Sequence, residues 1–298
     1  MTIKPTSQVA ILGNCQIESW SKAIRFMYPQ AEVILTKYVN SELTFSKDEE
    51  QKVRDAQIVF IIQSEKDVFK KSIALEKLDI KDKTFGVPSV YFRGFHPDSV
   101  YVYSDIGPVR SVFGHRGEWI PNIAYQAFQN GYSVEDTLTF YNIDMFQKMG
   151  YLDEWKKSFQ ELGIEFSEYG IDFQKWFQEV SNGSNFMWGM NHPDLKAVAY
   201  LVELVLYPLL GRPKHKSSLI LDYVNDPLSD VVWPVNEFYS HYLGINSMPY
   251  FRNGNEVLTF DGYLHGTFSK WKSEGQFGAK YEIVPSQVLL SDLVLDLT

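Results

Sequence analysis

Two unbroken apolar runs, Val9-Ala10-Ile11-Leu12 and Ile58-Val59-Phe60-Ile61-Ile62, constrain the fold of this chain more than any other feature. A strand with one wet face alternates apolar and polar residues. A continuous run has no polar residue to show to water and suits a strand covered on both faces. Four such strands are read at Val9–Gly13, Glu32–Thr36, Gln57–Gln63 and Val87–Arg93. Helical patterns follow Cys15, with Ile17, Trp20, Ile24 and Met27 on one face, and recur at Ser46 to Arg54 and Asp67 to Lys77. Strands spaced by helices predict a parallel sheet with right-handed crossovers.

Beyond this α/β third the pattern turns helical. Ser133 with Asp136 marks a helix start, and further helices are read at Leu152 to Leu162 and Ile171 to Val180. Pro193 fits the first turn of a long helix running to Leu210, with Gly211 as its stop. Prolines punctuate the remainder, with short strands at Ser218–Leu221 and Val257–Phe260. The chain therefore reads as a single α/β domain, 1–298. Its core is 1–130 and 185–221, with a helical insertion at 131–184 and a C-terminal extension at 222–298.

Hydrophobic residues make up 45% and aromatic residues 15% of the chain, enough for a thick core. A net charge of −9 without a Lys/Arg-rich arm argues against nucleic acid as a partner. One cysteine excludes an intrachain disulfide and a Cys-rich zinc site, and no metal-ligand spacing stands out. The first residues carry no apolar signal region. The apolar stretch Ala197 to Leu210 contains Glu203 and is too short to span a bilayer. A soluble cytoplasmic protein without a transmembrane segment is expected.

Cys15 is placed where a nucleophile would be. Gly13-Asn14 turns the chain out of the first strand, and the helix begins at Gln16. Free N–H groups and the positive end of the dipole at that point favour a thiolate. A buried packing cysteine is the plainer alternative. His-Pro-Asp occurs twice, at 96–98 and 192–194. A histidine at a helix N-terminus is kept neutral, as a general base must be. His192 is read as the base, with His96 as its rival or as a substrate contact. A Cys–His pair is an acyl-transfer constellation. The backbone N–H of Gln16 and the side chains of Asn14, Gln16 and Gln63 are read as oxyanion donors, and Arg93 as a substrate contact.

Cations for an anionic ligand are sparse. Arg212, Lys214 and Lys216 form the densest group, and Arg110 and Arg116 flank the loop Val109 to Gly117. A basic run after a helix also serves simply to complement the dipole. No Walker loop or Gly-x-Gly-x-x-Gly follows the first strand, so nucleotide binding of those types is not supported.

The stretch Val9 to Gln16, Gln63 after a strand, Phe95-His96-Pro97-Asp98, and His192-Pro193 opening a helix together resemble the WcbI family of polysaccharide (capsule) biosynthesis. Trp233-Pro234-Val235-Asn236 and Leu243-Gly244 also look like its C-terminal part. The resemblance implies a coenzyme A-binding acetyltransferase acting on a sugar, with Cys15 and a histidine in the reactive centre. The layout is also similar to SGNH hydrolases, with Cys15 at the serine position and His192 at the late histidine. Those enzymes carry Asp three residues before that histidine, where this chain has Gly189.

The resulting expectation is a three-layer, SGNH- or Rossmann-like parallel-sheet core. Acetyl-CoA is a substrate rather than a tightly bound cofactor, and a sugar hydroxyl is the acceptor. An esterase with water as acceptor is the second reading. The third is a non-catalytic protein that binds CoA or a sugar nucleotide.

Overall fold

The computed structural model describes residues 7–37, 46–63, 80–104, 107–116, 118–182, 184–275 and 280–281. The chain packs as two compact units. One comprises residues 1–91, 160–182 and 191–229, the other 92–159, 183–190 and 230–298.

In the first unit, β1 (Gln8–Gly13) leads through α1 (Ile17–Met27) to β2 (Glu32–Lys37). Then come α2 (Lys47–Asp55), β3 (Ile58–Gln63) and β4 (Thr84–Pro88). The four strands form one parallel sheet in the order β2-β1-β3-β4. The apolar runs of β1 and β3 are central and buried, as the composition of those runs predicts. Ala10, Leu12, Val59 and Ile61 pack with Val53 and Ala56 at α2. On the other face Trp20 of α1 meets Phe60 at 5.7 Å between ring centroids. The α2 start is a reciprocal capping box between Ser46 and Glu49.

Later segments of this unit add α3 (Phe173–Val180), α4 (Leu195–Leu210) and α5 (Ile220–Tyr223). The Trp176 indole of α3 donates to the Ala197 carbonyl of α4 at 2.8 Å, and α4 lies along α1. Gly211, at φ 76°, ends α4 as read from sequence. Three expectations shift. The fourth strand ends at Pro88, because proline offers no ladder N–H, and the apolar residues Val90 and Phe92 are buried as loop. Residues 218–221, expected as a strand, are helical. Pro193 is extended and Asp194 caps α4, so the proline lies just before the helix rather than in its first turn. The expected helix at 67–77 lies outside the described residues.

The second unit is antiparallel and aromatic. Val231–Val232, Tyr250–Asn253 and Glu256–Thr259 form a meander, and Ser99–Ser104 pairs with Trp119–Pro121. Helix Val134–Thr139 begins at the capping box read at Ser133 and Asp136. The Phe251 and Tyr263 rings stack at 4.0 Å, and Trp271 is fully buried against Tyr125 and Phe128. Much of the aromatic surplus in the composition is core. Among the described residues no helix is long and apolar enough to cross a membrane.

Candidate active site

The carboxyl edge of the parallel sheet is built around the exit of β1. A side chain at position 13 would place its Cβ 2.8 Å from Ile62 Cβ and 2.9 Å from Ile17 Cγ2, so only glycine lets α1 start this close to β3. Asn14 then shapes the turn. Its Oδ1 accepts the Gln16 N–H at 3.0 Å, and its Nδ2 donates to Ser89 Oγ at 2.9 Å. Cys15 sits between these two residues, half-buried, one residue ahead of the Gln16 cap.

Gln16 is fully buried, and its amide acts as a clamp. Nε2 donates to the carbonyls of Val90 at 2.9 Å and Asn191 at 3.0 Å, while Oε1 accepts the Val90 N–H at 3.1 Å. The clamp reaches over the end of β3 to the loop after β4, and on to the residue before His192. The Gln16 N–H and the side-chain amides of Asn14 and Gln16, expected as oxyanion donors, are engaged in hydrogen bonds within the protein in this structure. Gln63 ends β3 beside Pro88, and its side chain lies outside the described residues.

His192 follows Asn191 in extended backbone and is half-buried. Burial pushes its imidazole down to about 4, so the ring is neutral at ordinary pH. Neutrality therefore comes from desolvation rather than from a helix dipole. Asp194 caps α4 by accepting the Ala197 N–H at 2.6 Å. Burial, reinforced by the nearby Asp226 charge, raises Asp194 to about 7. Asp226 itself accepts the N–H groups of Leu195 at 2.7 Å and Leu228 at 2.9 Å.

The second unit holds the other His-Pro-Asp. His96 closes a short 3-10 turn and is 4% exposed. Its Nε2 lies 2.9 Å from the Trp233 carbonyl, which can only accept, so Nε2 carries the proton. Nδ1 is buried without a hydrogen-bond partner among the described residues, and burial lowers the ring to about 4. Asp98 accepts the Ile123 N–H and the Tyr141 hydroxyl, each at 2.9 Å, and burial raises it to about 7.

Arg93, expected to meet substrate, is 7% exposed. It donates to the Pro97 carbonyl at 2.8 Å and lies 3.4 Å from Glu154. That makes it a brace for the His96 turn. Gly189 is explained by packing: an added Cβ would fall 2.3 Å from Trp119 Cζ3, so no aspartate fits there.

The expected phosphate contacts divide. Arg110 lies 3.4 Å from Glu118, and Arg116 lies 3.4 Å from Asp230. Arg212, Lys214 and Lys216 are exposed and make no ion pair among the described residues. Their loop is tied to the far end of α1, with the Lys214 N–H on the Met27 carbonyl at 2.8 Å. Cys15 precedes the opposite end of that 11-residue helix, about 16 Å away along the axis. Among the described residues no group of three or more His, Cys, Asp or Glu could hold a metal ion.

Sequence reading missed Ser89 and Val90, which bond to the Cys15 turn; it brings Asn191 to this edge with His192 but gives that residue no role. The signal for the first two was Pro88, which ends β4 and delivers them to the carboxyl edge.

Residues 8–212 match the family model described as polysaccharide biosynthesis enzyme WcbI. The chain belongs to the WcbI family. The match spans Cys15, His96 and His192 and stops at Arg212, so Trp233–Asn236 and Leu243-Gly244 lie beyond it. A solved WcbI structure is described as a native protein without a disulfide bond between coenzyme A and a cysteine. It aligns over 90% of this chain and 90% of its own, with TM-score 0.63 and 14% identity. Likeness at that identity shows a shared mixed α/β fold. Zn(II)-bound AdcA from Streptococcus pneumoniae aligns over 61% of this chain and 34% of its own, with 13% identity. Its TM-score of 0.21 carries no argument about fold. No curated protein matches the sequence.

Proposed function

We propose that this WcbI-family enzyme transfers an acetyl group from acetyl-CoA to a sugar hydroxyl through Cys15 and His192. The observation that carries the reading is the Gln16 amide, which ties the turn bearing Cys15 to the carbonyl of Asn191, next to His192. That bond joins the segment before His192 to the turn after β1, at the carboxyl edge of a parallel sheet, where α/β proteins bind ligands, and this supports a site for the thiol and the neutral imidazole there. The family's role in polysaccharide biosynthesis supports a sugar acceptor. The solved WcbI protein is described with reference to coenzyme A, which supports acyl-CoA as donor.

In the proposed reaction the Cys15 thiolate attacks the thioester carbonyl. The bond from carbon to the CoA sulfur breaks, and CoA departs as its thiol with the proton that His192 took from the Cys15 thiol. The sugar hydroxyl then attacks the acyl-cysteine. His192 takes the hydroxyl proton, and Cys15 leaves as thiolate. Reorientation of Asn14 away from Gln16 would free the Gln16 N–H for the developing oxyanion. The sheet with helices on both faces fits a three-layer, SGNH-like class. Acyl-CoA as donor places the reaction in the cytoplasm.

Acetyl-CoA turnover with and without a panel of acceptor sugars tests this reading. Turnover that depends on a sugar is expected. Equal turnover without one identifies an esterase-like hydrolase. A native-state ligand also raises stability, so acetyl-CoA should raise the melting temperature.

A further inference from the structure

The basic loop after α4 lies next to exposed apolar side chains. Arg212, Lys214 and Lys216 are solvent-exposed, and the next turn of chain exposes large apolar side chains. Leu219 is 44%, Leu221 47% and Tyr223 75% exposed, while Ile220 between them is fully buried and anchors the turn. The Phe26 ring joins the two halves. It packs, tilted, against His215 of the loop at 5.2 Å and stacks on Tyr223 of α5 at 6.0 Å. Cations and exposed apolar groups therefore share one face at the C-terminal end of α1.

The face is held in place. Tyr28 Oη donates to the Gly211 carbonyl at 3.0 Å, and Lys22 Nζ donates to the Asn225 carbonyl at 2.8 Å. Ser217 donates to Glu203, which occupies that carboxylate. Asp222 is the exposed carboxylate within the patch, against three cations between Gly211 and Asn225. In a chain of net charge −9, this local excess of positive charge stands apart.

We propose that this face docks on an anionic lipid bilayer. Aromatic and leucine side chains beside lysines and arginine are the chemistry that lies in a headgroup region: the rings and leucines enter the interface while the cations meet lipid phosphates. Two weak signals together give reversible attachment where either alone is marginal. The negative remainder of the protein is repelled at long range, so docking holds a single orientation. The docked end of α1 is the one opposite Cys15, which leaves the carboxyl edge of the sheet facing away from the lipid. The proposal does not rest on the acyl-transfer reading.

The test is co-sedimentation of the full chain with phosphatidylcholine vesicles, with and without phosphatidylglycerol. Wild type should partition only onto the anionic vesicles, and should detach as salt rises from about 0.01 M to about 0.15 M and the Debye length falls from about 30 to about 8 Å. Lys214→Glu with Lys216→Glu should weaken partition at least tenfold. Leu221→Ser with Tyr223→Ser, which leaves the charge unchanged, should weaken it as well. Circular dichroism confirms that both pairs fold. No partition by wild type, or unchanged partition by both double variants, overturns the proposal. CoA calorimetry on the charge variant adds an independent arm. Unchanged affinity is expected. Lost affinity, together with free CoA stripping wild type from vesicles, would make the cluster a phosphate contact and overturn the lipid assignment. The vesicle arm needs no CoA binding, so failure of the proposed reaction leaves it intact.

Discussion

At the residue scale the two histidines are distinguishable. His96 has Nε2 committed to the Trp233 carbonyl and is 4% exposed, whereas His192 is half-buried next to the clamped Asn191. His192→Ala should lower acetyl transfer by roughly 10²–10⁴-fold, the usual range for a general base. His96→Ala should lower it less. If His96→Ala removes the acid limb of the pH–rate profile and His192→Ala leaves it intact, the base is wrongly assigned. That limb should lie near pH 4 rather than 6.5, because burial holds the His192 imidazole at about 4. Gln16→Leu should fold less stably, since it leaves the Val90 N–H and two carbonyls without their partner, at about 1–3 kcal/mol for each buried group left unsatisfied. Urea unfolding measures this loss. Unchanged stability would show that the clamp is not needed.

At the element scale the sequence showed the sheet more clearly than its loops. β1, β2 and β3 fall within about a residue of their expected ends, because continuous apolar runs bounded by polar residues leave little choice. The expected fourth strand runs past Pro88 because Val90 and Phe92 look like strand residues. They are buried in a loop, and periodicity alone does not separate the two. The repeated His-Pro-Asp looked like one motif used twice. Asp194 caps its own helix, whereas Asp98 caps the start of a helix some 25 residues on. Only the fold could show that difference. The sequence brings the Cys15 turn and the His192 segment to one edge of the sheet, and the Gln16–Asn191 bond links those two segments. The Ser89 and Val90 contacts were not legible, because they depend on which strand ends lie side by side. Asp194→Ala should cost about 0.5–2 kcal/mol, the usual loss of a helix cap. Thermal unfolding of the variant checks it, and an unchanged melting temperature would deny the cap its role.

At the scale of the whole molecule, buried titratable groups set the pH dependence of stability in opposite directions. His96 and His192, held at about 4 against an ordinary 6.5, bind fewer protons folded than unfolded. Their contribution falls as pH drops from 6.5 toward 4. Asp98 and Asp194, raised to about 7 against an ordinary 3.8, bind more protons folded, so their contribution falls as pH rises from 3.8 through 7. The two trends oppose each other between about pH 4 and 6.5. Asp98→Asn removes one raised carboxyl. The variant should therefore lose stability more steeply than wild type as pH falls through this window. Parallel curves from urea unfolding at several pH values would contradict that balance.

The most direct test of the account is whether Cys15 carries the acyl group. Intact-protein mass spectrometry after brief exposure to acetyl-CoA, followed by peptide mapping, reads this without knowledge of the acceptor. The account predicts a single acetyl group on Cys15, lost on adding the acceptor sugar and absent from Cys15→Ala. An unmodified Cys15, together with a folded Cys15→Ala protein that turns over acetyl-CoA at the wild-type rate, would contradict it.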